Sequence, residues 1–154
     1  MKNSSILLLF LALIIIFLID RYSSIINLFP LVVRPFIIIN SHRFKIISAN
    51  TPISQEVGLS TYTSLPIDKG MLFTFEKADY YNFWMKNMKI PIDIIFINGD
   101  SVVTIFQNVQ PPTTKDQKLP LYKPEKPSDS VLEINAGLTN KYNIKKNDKV
   151  KIYL

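Results

Sequence analysis

The chain has 154 residues, 18 Lys and Arg against 12 Asp and Glu, one His and no Cys. That length suits one domain. The missing cysteine excludes a disulfide scaffold, a thiolate metal site and a cysteine nucleophile, and a single histidine excludes His-rich metal sites and disfavours a histidine-based triad.

Residues 6–19 read ILLLFLALIIIFLI, with no charge. As a helix this run is about 21 Å long, short of the roughly 30 Å bilayer core. Small residues suited to signal-peptide cleavage are lacking, because Arg21 or Tyr22 falls at the upstream recognition position. We therefore expect an uncleaved signal anchor over residues 1–24, extended into the interfaces by Ser4, Ser5 and Tyr22. Lys2 and the amino terminus outweigh the Asp20-Arg21 flank, which sets the N-terminus inside and the rest outside the cytoplasm. The expected location is the cell membrane, single-pass, or secretion if the anchor is cut. Residues 25–35, broken by Asn27 and Pro30, read as a tether. One β-rich domain then occupies 36–154.

Beyond residue 40 the chain keeps 15 positive and 11 negative residues. Lys141, Lys145, Lys146, Lys149 and Lys151 cluster near the end. Such a cluster reads first as a solvated face, and second as attraction to anionic lipid or polymer.

Taken in order, Phe36–Asn40 and Arg43–Ala49 read as a hairpin around Ser41-His42. His42 is an exposed turn residue on this reading. Thr51 caps a short helix, Pro52 takes its first position and Gly58 lies near its end. Residues 62–68 form a loop. Gly70–Glu76, Tyr80–Asn87 and Ile92–Ile97 read as strands, and Asn98-Gly99 turns the last into Ser101–Asn108. Residues 110–128 hold five of the ten prolines. They form a long loop, either a lid or a mobile excursion. Ser130–Ala136 is a strand, Gly137–Asn143 a helical turn, and Lys149–Leu154 a closing strand after a turn with Asn147 left-handed. The fold class is mainly β (α+β), a barrel-like domain with one or two short helices behind an N-terminal hydrophobic helix.

The runs GMLFTF, FWMKNM, IPIDIIFI, VLEINAGL and YNIKKNDKVKI together resemble the family called domain of unknown function 192, over residues 36–154. The resemblance implies a small, mainly β domain, common in bacteria and archaea and often exported. It implies no reaction. Ser60 and Tyr62 stand where relatives carry Met and Arg, Met88 where they carry Thr, and Asn147 where they carry Gly. The loop near Pro111 lacks a cysteine that relatives often have. No anion site is therefore expected near Tyr62, and no redox chemistry. The final dozen or so residues also look like the last hairpin of swapped β-barrel transcription factors, a similarity of turn chemistry. The anchor and the modest charge weigh against nucleic-acid binding.

Strand alternation sorts the polar residues of these motifs. Trp84 shares a face with Lys86, opposite Phe83, Met85 and Asn87. Asp93 faces with Ile95 and Ile97, and Glu133 with Val131 and Asn135. Two carboxylates thus sit among apolar neighbours, where an unpaired charge is costly. A structural network would pair them with Lys86, Asn87 or Asn135 and fix the register. A functional site would gather Asp93, Glu133, Lys86 and Asn135 beside Trp84, with Asn87 as a further contact. Trp84 with carboxylates and amides suits a sugar ring. Two carboxylates also suit glycosidic hydrolysis at the right separation. Every Phe reads as core, and only Trp84 is left open. The expected function is binding of a small polar ligand or envelope glycan, without cofactor or metal. The alternatives are a hydrolase using Asp93 and Glu133, and a structural or protein-interaction module.

Overall fold

The computed structural model describes residues 11–22, 34–114 and 116–154. The chain divides into two units, Met1–Val33 and Arg34–Leu154. In the first, residues 11–22 are helical (α1). No helix among the described residues is long and apolar enough to cross a membrane. Residues 1–10 and 23–24 of the expected anchor and 25–33 of the expected tether lie outside the described residues.

The second unit is built on one seven-stranded sheet. In chain order its elements are β1 (Phe36–Ile39), β2 (His42–Ala49), α2 (Pro52–Val57), β3 (Lys69–Asp79), β4 (Ile92–Asn98), β5 (Ser101–Val109), β6 (Ser128–Asn135), α3 (Leu138–Lys141) and β7 (Val150–Tyr153). The spatial order is β5-β4-β6-β3-β2-β1-β7. Every pair is antiparallel except β2 with β3, whose parallel crossover carries α2. The two ends of the sheet meet. Val102 N donates to Asp148 O (3.0 Å), Asn147 N to Val102 O (2.8 Å) and Val150 N to Asp100 O (2.8 Å). The sheet is therefore a curled half-barrel whose edges touch at one place.

Both faces are buried, because successive strand residues point to opposite sides. One core joins Ile37, Phe44, Leu72, Ile95, Val102, Leu132, Leu138 and Val150. It draws on β5 and β7, the two sheet ends, so it fills the concave side. The other joins Met71, Phe73, Ile92, Ile94, Phe96 and Val131 with Leu59, Leu65, Met85 and Met88 from the connections. It lies on the convex side, beneath α2 and the loops.

Three local expectations change. The β1–β2 turn is Asn40-Ser41, with φ of 48° and 66°. His42 is instead the first residue of β2, half-buried and stacked on Tyr142 with centroids 4.0 Å apart. Residues 80–87 are not a strand. They make one bridge, Phe83 with Tyr122. Both neighbours of β3 are already taken, by β2 and β6. The segment therefore crosses the convex face, burying Met85 and Met88 and leaving Trp84 and Lys86 outside. That in-and-out pattern imitates strand alternation. The proline-rich connection is tied down too: Tyr122 N and Phe83 N each donate to the other's carbonyl (2.8 and 2.9 Å), and Glu125 N donates to Thr104 Oγ1 (2.9 Å).

Candidate functional site

Glu133 is the polar side chain that the convex core leaves unanswered. Its strand β6 lies between β3 and β4, so its cross-strand neighbours are Met71 and Ile94. Both are buried and apolar. Glu133 is only 5 % exposed, and its Oε2 has no hydrogen-bond partner among the described residues. Burial pushes the carboxyl up to about 8, because the apolar surroundings penalise the charged form. At neutral pH the group is mostly a carboxylic acid, able to donate and to accept.

Glu133 opens onto a cavity of about 150 Å³. One wall is the end of α2, Gln55 to Leu59. That helix is placed by a capping box: Ser54 N donates to Thr51 Oγ1 (3.2 Å) and Thr51 N to Ser54 Oγ (2.9 Å). Gly58 ends it at φ 49°, a region that glycine enters without a side-chain penalty. Gln55 is fixed on this wall by donating its Nε2 to Thr74 O at 2.9 Å. The floor is Phe73 and Phe75 of β3. The opposite wall is the segment from Tyr81 to Met88. Tyr81 stacks on Phe75 (3.6 Å between centroids) and donates its hydroxyl to Lys77 O (2.8 Å), while Phe83 meets Phe73 edge-on at 4.9 Å. Trp84, 50 % exposed, stands on this wall with the Lys86 ammonium 5.4 Å from its ring centre. The proline-rich connection is not a lid here. It lines a separate groove with Met85, Gln107 and Asn108.

Of the residues singled out in the sequence, Trp84, Lys86 and Glu133 line this one cavity. Asp93 does not join them. It pairs in register with Ile134, whereas Glu133 pairs with Ile94, so the two carboxylates point to opposite faces of the sheet. The expected two-carboxylate cleft is thereby corrected. Asp93 also has nothing to spare. Its Oδ1 accepts from Asn108 N (2.7 Å) and Gly137 N (3.0 Å), and its Oδ2 from Thr139 N (2.8 Å) and Thr139 Oγ1 (2.7 Å). It clamps the start of α3 to β4, a structural network with partners other than those expected. Asn135 donates to Leu65 O at 2.8 Å and fixes the loop before β3. Asn87, at φ 59°, turns the chain and lines a different groove, with Pro112 and Thr113. No cluster of His, Asp or Glu able to hold a metal is found among the described residues.

The cavity also uses residues that sequence reasoning assigned to the core or passed over. Phe73 is buried, yet Phe75 and Phe83 are only partly so and form pocket surface. Gln55 gave no signal beyond its place in a short capped helix.

The basic C-terminal cluster is partly neutralised. Lys146 pairs with Glu125, and Lys149 with Asp100 at 2.9 Å.

Residues 36–152 match the model of the domain of unknown function 192 family, described only as "Uncharacterized ACR". No curated protein matches the chain. Two crystal structures share its fold. A protein of unknown function from Novosphingobium aromaticivorans is 35% identical with a TM-score of 0.67, over 75% of this chain and 83% of that one. A protein from Sinorhizobium meliloti, described as a candidate transcription regulator, is 28% identical with a TM-score of 0.66, over 77% and 91%.

Proposed function

The chain belongs to the domain of unknown function 192 family, and on that footing we propose that its Arg34–Leu154 unit is a small-ligand-binding domain. The ligand places a ring against Trp84 and a polar group at Glu133, and an envelope glycan is the class that suits both. The observation that carries this reading is Glu133, a buried carboxyl that lines an aromatic-walled cavity and whose Oε2 is left without a partner among the described residues. Buried polar atoms are normally satisfied, and an exception in a cavity is a place for a ligand to supply the missing bond. The apolar run at residues 6–19 supports attachment to a membrane with this unit outside the cytoplasm.

The hydrolase reading loses its second carboxylate, since Asp93 is committed on the other face of the sheet. A purely structural role asks for a packed Trp84 and an Asp93–Lys86 pair. Trp84 is half exposed, and the bonds to Asp93 come from Asn108, Gly137 and Thr139. The regulator description stays with the Sinorhizobium protein, because two of the five clustered lysines here are spent on ion pairs.

Trp84 is the one tryptophan of the chain, so its fluorescence reports on this wall alone. Titrating the full-length protein with envelope sugars is expected to change that emission and to raise the melting temperature. Ligand at 100 times its dissociation constant adds about 2.7 kcal/mol, a shift of several degrees. Unchanged emission and melting across the panel would overturn the binding proposal.

A further inference from the structure

The identity of the polar group that meets Glu133 follows from the chemistry of the walls, granting the ligand-binding reading of the same pocket. We propose that the site takes the N-acyl amide of an N-acetylated sugar. The carbonyl accepts from the Glu133 carboxyl, the amide N–H donates to the Gln55 side-chain oxygen, and the methyl lies against Phe73, Phe83 and Met88.

A trans amide presents its N–H and its C=O in opposite directions. It therefore needs an acceptor and a donor on different walls, and the cavity offers that pair. Glu133 comes from β6, and its apolar surroundings keep it in the acid form that can donate. Gln55 comes from α2, one N–H of its amide is held by Thr74 O, which fixes the side chain, and its carbonyl oxygen can accept. Phe73, Phe83 and Met88 in the same lining give a methyl group an apolar place, while Glu56, Asn82 and Lys86 are the further polar side chains that can meet the sugar hydroxyls. The pyranose ring then reaches the half-exposed Trp84.

An ammonium ligand fits less well. The charged groups facing the cavity are Glu56 from α2 and Lys86 from the 81–88 segment, and Tyr81 is the further titratable one. β3 contributes only Phe73 and Phe75 to the lining. Lys86 already holds its own ammonium over the Trp84 ring. A second cation there meets repulsion, and it would first have to ionise Glu133. A ligand carboxylate at Glu133 meets repulsion from Glu56, and the Lys86 charge that would attract it is held at the Trp84 ring instead.

The test compares N-acetylglucosamine, glucose and glucosamine by Trp84 fluorescence on the full-length protein, from pH 6 to pH 9. N-acetylglucosamine is expected to bind at least tenfold tighter than the other two near pH 6.5. Its affinity should fall above pH 8, as Glu133 loses the proton it donates. Glu133→Gln keeps a donor of the same shape, so it should retain binding and lose the pH dependence, whereas Glu133→Leu should lose binding at least tenfold. Glucosamine binding best, with affinity peaking near pH 8 where Glu133 has begun to ionise and the amine still holds its proton, would overturn the amide in favour of a cation. Glucose binding as well as N-acetylglucosamine would overturn the amide and leave the small-ligand reading standing. Silence from all three sugars, with the melting temperature unmoved, would sink both.

Discussion

Two buried carboxyl groups in this protein have opposite roles because of what surrounds each side chain. Asp93 accepts four hydrogen bonds from three backbone N–H groups and one hydroxyl. Replacing it with Asn turns an amide nitrogen toward these donors. Asp93→Asn is expected to lose about 3 kcal/mol, since hydrogen bonds to a charged group contribute roughly 1.5–3 kcal/mol each. Urea unfolding measures this, and a midpoint unchanged from wild type would contradict the clamp. Glu133 has the reverse problem. Its carboxyl is raised from 4.5 to about 8 by desolvation. Between these values the unfolded chain is ionised while the folded protein keeps its proton, so the folded state binds more protons and stability falls as pH rises. The contribution is whole below about pH 4.5 and is lost by about pH 8. The slope is about 1.4 kcal/mol per pH unit. Glu133→Gln should flatten this part of the profile and make the protein more stable than wild type at pH 8. Chemical denaturation across pH 5–9 shows whether it does.

At the scale of elements, the hairpins, both short helices and the closing strand were legible because local signals agreed with the fold. The capped Thr51-Pro52 start and the Asn98-Gly99 turn need only nearby atoms. Asparagine carries much of this turn chemistry in a chain with 4 glycines. Among the described residues, Asn40, Asn87, Asn108, Asn143 and Asn147 all have positive φ, a region that Asn tolerates better than most side chains. Residues 80–87 were misread because alternation records burial on one side and then the other, and a loop lying across a sheet produces the same record. The site was half legible for a related reason. Alternation within a strand gave the correct companions of Asp93 and of Glu133, but not whether those two faces coincide. That depends on the β4–β6 register, set by pairing across more than thirty residues of chain. Gly70 shows how close this packing is. A Cβ there would lie 2.9 Å from Glu133 O, Ile134 Cγ2 and Leu132 Cδ1. Gly70→Ala should therefore destabilise by about 1–3 kcal/mol through overpacking. Calorimetry tests it, and a melting point equal to wild type would mean that β3 and β6 can separate freely.

Across the whole molecule, the seam between the sheet's ends decides whether the half-barrel holds its shape. Asp148 organises it. Its Oδ2 accepts from Asn40 Nδ2 (2.5 Å) and Lys145 N (2.6 Å), and its carbonyl accepts from Val102 N. The Asp148 side chain thus ties the β1–β2 turn to the turn that enters β7. Asp148→Ala is expected to cost about 1–2 kcal/mol and to speed amide exchange at Val102 and Asn147. Exchange at wild-type rates would place the strength of the seam in the concave core instead.

The position of β1 has a mechanical consequence. This strand is the first of its unit, yet it lies between β2 and β7 and is paired with each through four register positions. A pull applied at Arg34 runs along β1 and loads both ladders in shear at the same time, whereas a first strand on an open edge would peel away one pair at a time. The end of the domain that leads toward the apolar N-terminal run is thus the end best placed to bear tension.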